Sequence, residues 1–134
     1  MNTTELIVEH LHALGFSPKD IDGEGTDFKF DYRGKTYLLM DNDGDENFVR
    51  FAIPRVFSVT DENKPILLNQ IQQLGFNIKY IKAAICTDSV WIFYEHYQED
   101  GTAITEATVE HIIRTMAAAL KWFYAELENY DEEV

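Results

Sequence analysis

Three stretches of the chain carry apolar residues at helical spacing, and five shorter ones between them read as strands. The first helix starts at Asn2 or Thr3, either of which can cap it. Ile7, Leu11 and Leu14 form its stripe, with Glu9 and His10 off it. Gly15 is placed as the left-handed residue after the helix, and Phe16 as the hydrophobic contact of a Schellman stop. Pro18 then forbids continuation. Residues 27–33 alternate strictly, aromatic Phe28, Phe30 and Tyr32 facing one way and charges the other, so they predict a strand with one wet face. A tight turn at Gly34 leads into residues 36–40, apolar on both faces. A third strand covers 48–53, with Val49, Phe51 and Ile53 on one face and Pro54 ending it.

Thr60 or Asp61 caps the second helix, and Pro65 falls in its first turn, where a missing N–H is tolerated. Leu67, Ile71 and Leu74 form its stripe, and Gly75 is expected to stop it. Residues 78–86 and 90–94 are the last two strands, the latter again apolar on both faces. Thr105 caps a long third helix of about six turns, striped by Val109, Ile112, Ile113, Met116, Leu120, Phe123 and Leu127. The order is α-β-β-β-α-β-β-α: an α+β domain over residues 1–128 with an antiparallel sheet packed by helices, and a frayed acidic tail at 129–134. Leu14-Gly15-Phe16 returns as Leu74-Gly75-Phe76 at an offset of 60. A duplication and two independent helix stops both account for that echo.

Composition narrows the function classes. A net charge of −13, with Lys and Arg totalling 11 and scattered singly, speaks against nucleic acid and anionic membrane as direct partners. The start lacks a basic leader region, and no apolar run reaches the ~18 residues of a membrane span. The single Cys86, in an apolar strand, fits a reducing cytoplasm.

Candidate chemistry is sparse. Residues 41–46 resemble the opening of a calcium loop, but Glu46 stands where the sixth-position glycine belongs and Ala52 where the bidentate glutamate belongs. Asp43-Gly44 is better read as hairpin-turn chemistry, with a weak cation site as the other reading. His10 and His12 do not share a helix face. No zinc, nucleophile-elbow or phosphate-loop motif is present, so no catalytic, metal or cofactor-binding residue and no cofactor is assigned. Glu95, between Tyr94 and His96, is placed at the start of a loop.

The two-faced strands carry more. Tyr37 and Leu39 oppose Leu38 and Met40, while Trp91 and Phe93 oppose Val90, Ile92 and Tyr94. Three helices cover one sheet face readily. Either a subunit partner or a bound apolar segment covers the second, or the sheet curls and loops cover it. Tyr37, Leu39, Trp91 and Phe93 are the interface candidates.

The element order, size and acidity resemble the type III secretion chaperone-like fold, and within it the YbjN family of bacterial proteins. The likeness spans about residues 3–127. Locally it rests on Leu14-Gly15-Phe16, the alternating strand Phe28-Lys29-Phe30-Asp31-Tyr32, and Leu67-Leu68-Asn69-Gln70-Ile71 leading into Ile81-Lys82-Ala83-Ala84-Ile85. The resemblance implies a non-enzymatic cytoplasmic protein, often a homodimer, that binds a protein or peptide segment. It carries over no functional residue. Two other classes stand beside it: a ligand sensor or enzyme with a dispersed site uniting His96 or His111 with carboxylates, and an acidic immunity-type partner of a basic protein.

Overall fold

A computed structural model describes residues 1–133, with side chains as far as Asn129. Helix α1 (Thr3–Ala13) opens with a capping box: the Asn2 side chain accepts from the Glu5 N–H at 2.8 Å, and the Glu5 carboxylate accepts from the Asn2 N–H at 3.4 Å. It closes as a Schellman stop. Gly15 takes φ 95°, its N–H donates to the His12 carbonyl at 3.0 Å, and the Phe16 N–H donates to the Leu11 carbonyl at 2.9 Å. Phe16 then packs on Phe30 and Tyr32, with ring centroids 5.2 and 5.6 Å apart.

Six strands follow: β1 (Lys19–Asp20), β2 (Phe28–Tyr32), β3 (Lys35–Met40), β4 (Phe48–Ser58), β5 (Ile81–Cys86) and β6 (Ser89–Tyr97). They form one antiparallel sheet in the order β1-β2-β3-β4-β6-β5. Strand β1 adds an edge that periodicity does not reveal, since two residues show no alternation. Pro54 does not end β4. The register slips between Ile53 and Phe57, and Arg55 sits at φ 50° inside the slip. In a bulge Pro54 interrupts no regular ladder pairing, so its missing N–H is tolerated. Tyr124 donates its hydroxyl to the Val56 carbonyl there, at 2.7 Å.

Helix α2 (Lys64–Asn77) has Asn63 as its cap residue and Pro65 in its first turn. Thr60 and Asn63 exchange hydrogen bonds just ahead of it, Thr60 N–H to Asn63 Oδ1 at 2.8 Å and Asn63 N–H to Thr60 Oγ1 at 3.2 Å. Thr60 therefore caps the entry turn rather than the regular helix. The second Leu-Gly-Phe is not a stop. Helix α2 passes through Gly75 to Asn77, leaving Phe76 87% exposed, and the chain turns at Tyr80 with φ 66°. Glycine permits the left-handed conformation without imposing it. The first copy has Pro18 just beyond and aromatic partners for Phe16; the second has neither. Strand β5 accordingly begins at Ile81, not at residue 78.

Helix α3 (Glu106–Glu133) is capped by Thr105, whose Oγ1 accepts from the Thr108 N–H at 3.1 Å. The acidic segment 129–134 falls at its far end; Val134 and the side chains from residue 130 onward lie outside the described residues. All three helices join one core with Phe30, Tyr37, Leu39, Val49, Phe51, Ile53, Val90, Ile92 and Tyr94 from one face of the sheet. Buried Gln70 donates to the Phe123 carbonyl at 3.1 Å, tying α2 to α3. Among the described residues no helix is long and apolar enough to cross a membrane.

Candidate functional site: the helix-free face of the sheet

Strand alternation and register decide which side chains share the opposite face. Paired residues point the same way, so Lys19, Lys29, Leu38, Ala52, Phe93 and Lys82 form one row across all six strands. Met40, Arg50 and Glu95 form the next row on one side. Trp91 and Ala84 flank it on the other. Leu38, Met40, Trp91 and Phe93 are half-buried, although none lies in the core cluster under the helices. The Trp91 and Phe93 rings stack with centroids 6.1 Å apart.

A charged cluster sits within this apolar field. Arg50 donates to Glu95 Oε2 from Nε at 3.1 Å and from a terminal nitrogen at 2.7 Å, and Lys82 pairs with the other oxygen. Burial pushes the Glu95 carboxyl up, but the hydrogen bonds and charges of Lys82 and Arg50 outweigh it and hold the group below its ordinary range. The Arg50 guanidinium also lies 5.0 Å from the Phe48 ring centre. Glu95 is thus a mid-strand residue of β6, not the start of a loop. Its phase with Trp91 and Phe93 was a signal open to period-two counting. Its cationic partners come from β4 and β5, and only the register brings them together.

The four interface candidates do not share a face. Tyr37 and Leu39 are 1% and 2% exposed in the core beneath the helices, whereas Trp91 and Phe93 lie on the helix-free side. The reason is register: Leu39 pairs with Phe51 and Phe51 with Tyr94, the opposite parity from Leu38, Ala52 and Phe93. Burial pushes the Tyr37 phenol up to about 12, and neighbouring Tyr32 adds to the shift.

The histidines are dispersed. His96 bonds Gln98 at 2.9 Å, His10 bonds the Ile104 carbonyl at 2.9 Å, and His111 faces Thr115 on the exposed side of α3. Among the described residues no group of three His, Cys, Asp or Glu side chains is set to hold a metal ion. The loop at 41–47 contains a type I′ turn, with Asp43 at φ 55°, Gly44 at φ 79° and the Asp45 N–H on the Asn42 carbonyl at 3.0 Å. Asp41, Asn42 and Asp45 turn their side chains onto backbone N–H groups two residues on. Glu46 reaches α1 instead. It accepts the Thr3 N–H at 2.7 Å, and that bond is the main cause of its lowered pKa. Cys86 is the last residue of β5, half-buried beside the turn.

No family model matches the sequence, and no curated protein matches it. The fold is that of a solved structure: the crystal structure of YbjN from E. coli, a proposed transcription regulator, superposes with a TM-score of 0.66 over 96% of this chain and 92% of that one, at 12% identity. At that identity the likeness shows the fold, and the chain is an α+β protein of YbjN-like architecture.

Proposed function

We propose that this chain is a non-enzymatic protein-binding module whose helix-free sheet face is covered by a segment of a partner protein. One observation carries the reading. Leu38 and Met40 on β3 and Trp91 and Phe93 on β6 are apolar and half-exposed on one face of the sheet, two pairs with β4 between them, and the helices pack on the other side. Contiguous exposed apolar surface rimmed by polar groups marks interaction sites. The Arg50–Glu95–Lys82 cluster inside it fixes orientation, since a partner must meet those charges while it covers the apolar residues.

YbjN's description as a proposed transcription regulator supports a regulatory role of the same kind. With a net charge of −13, regulation by this chain would run through a protein partner rather than through contact with DNA phosphates. A homodimer of the sort seen among secretion chaperones has the edge of β5 available, because among the described residues that strand pairs with β6 alone.

A photo-crosslinking residue placed at Phe93, compared with one placed at exposed Glu106 on α3, tests the reading in native cell lysate. The expected result is a discrete adduct from position 93 that is absent from position 106. A light-scattering mass of one chain, no apolar-dye binding and no adduct specific to position 93 would together overturn it.

A further inference from the structure

The cross-strand row on the helix-free face has a charge pattern opposite to that of the protein. Lys19 and Lys29 stand at one end and Lys82, already ion-paired with Glu95, at the other, with apolar Leu38, Ala52 and Phe93 between them. Lys19 and Lys29 are direct cross-strand partners, an arrangement of like charges that is unfavourable until an anion joins it. Counted over the paired strand positions named on this face, Lys19, Lys29, Arg50 and Lys82 outnumber Asp31 and Glu95, although the chain as a whole is at −13. At its Lys19–Lys29 end the row borders a cleft of about 520 Å³, at the sheet edge, that Gly15, Phe16 and Ser17 after α1 also line. At the centre Ala52 is fully buried between Leu38 and Phe93.

We infer that the occupant of this face is an acidic amphipathic helix of a partner protein, laid across the strands along this row. The inference rests on the protein-binding reading above and names the chemistry of the partner. Six strands spaced ~4.8 Å apart give a row of roughly 24 Å, which a helix rising 1.5 Å per residue spans with about 16 residues. Its apolar stripe lies over Leu38 and Phe93, with buried Ala52 between them, and carboxylates at its end over β1 and β2 meet Lys19 and Lys29. A second copy of this chain fits the face less well, because the face carries more cations than carboxylates and pairing two copies brings that excess together.

The test uses two synthetic 16-residue helical peptides with the same Leu/Ala stripe, one with glutamate on its polar positions and one with lysine. Binding is followed by amide shifts of Leu38, Ala52 and Phe93 in the full chain. The acidic peptide is expected to shift all three, against the repulsion of the net charge, and the basic peptide to leave them unmoved. The double variant K19E/K29E should weaken the acidic peptide by about tenfold, two reversed surface pairs at up to ~1 kcal/mol each being sufficient. A circular dichroism melt identifies any loss that comes from unfolding, in which case K19Q/K29Q replaces the charge-reversed variant. Equal shifts from both peptides, abolished by Phe93→Ser, would overturn this inference and leave the protein-binding reading standing. No shift from the acidic peptide alongside a specific adduct from position 93 would also overturn it. Failure of both the peptides and the crosslink would remove the protein-binding reading with it.

Discussion

Tyr37 shows how one side chain's surroundings become a measurable property. It is 1% exposed, stacked on Phe30 at 5.6 Å and edge-on to Tyr32 at 5.9 Å, and its phenol is pushed up to about 12. A group whose folded pKa exceeds its unfolded value adds stability in full below the unfolded value, near 10, and loses it as the pH rises through about 12. Chemical denaturation between pH 9 and 12 should therefore show stability falling with pH, and Tyr37→Phe should flatten that slope while leaving the neutral-pH value less affected. An unchanged slope in the variant would assign the alkaline loss to other groups. The neighbouring Phe16, Phe30, Tyr32 and Tyr37 rings account for why the phenol is dry: each closes one side of the next.

The two Leu-Gly-Phe segments give a paired experiment on helix ends. Gly15 occupies φ 95°, which an L side chain adopts at a cost, so Gly15→Ala should destabilise by about 1 kcal/mol. Gly75 lies inside α2 with ordinary helical backbone, and an added Cβ would meet only the Ile81 carbonyl at 4.0 Å. Gly75→Ala should stabilise by roughly 0.5–1 kcal/mol, because alanine lowers the entropy of the unfolded chain and favours the helix. Urea denaturation of both variants reads the two signs directly. A loss of stability in Gly75→Ala would mean that α2 ends earlier than Asn77. The same contrast explains why one tripeptide became a stop and the other did not. Phe16 is anchored by two rings, whereas Phe76 stands exposed in solvent. Strand β4 carries a similar lesson: Pro54 reads as an end, yet the bulge opposite Trp91 absorbs it and the strand continues to Ser58.

The sheet divides the protein into a packed side and an open side, and substitutions should respect that division. Leu39→Ala, on the packed side, should cost about 2–5 kcal/mol by leaving a cavity. Phe93→Ser, on the half-exposed side, should cost about 1 kcal/mol and instead remove the crosslink and peptide binding. Thermal melts of the two variants separate them. If Phe93→Ser unfolds the chain as readily as Leu39→Ala, the helix-free face is core and not a surface for a partner. Arg50, Glu95 and Lys82 fit the open-side description, since their ion pairs are partly exposed and contribute little to stability on their own.

The helical and alternating periodicities were enough to find three helices, five of the six strands and the α+β class, because amphipathic period is a local property of the chain. The first Schellman stop, the Thr105 cap and the Asp43-Gly44 turn were legible for the same reason: each depends on a few neighbouring residues. Which face Tyr37, Leu39, Trp91 and Phe93 occupy was not legible. Every one of them sits in a strand apolar on both sides, so alternation labels two faces without saying which one the helices cover. The pairing of β3 with β4 and of β4 with β6 settles it, sending Leu39 into the core with the helices and leaving Phe93 and Leu38 on the opposite face. The Arg50–Glu95–Lys82 cluster and the lysine-ended row arise in the same way. Their members lie tens of residues apart, and only the register of six strands sets them side by side.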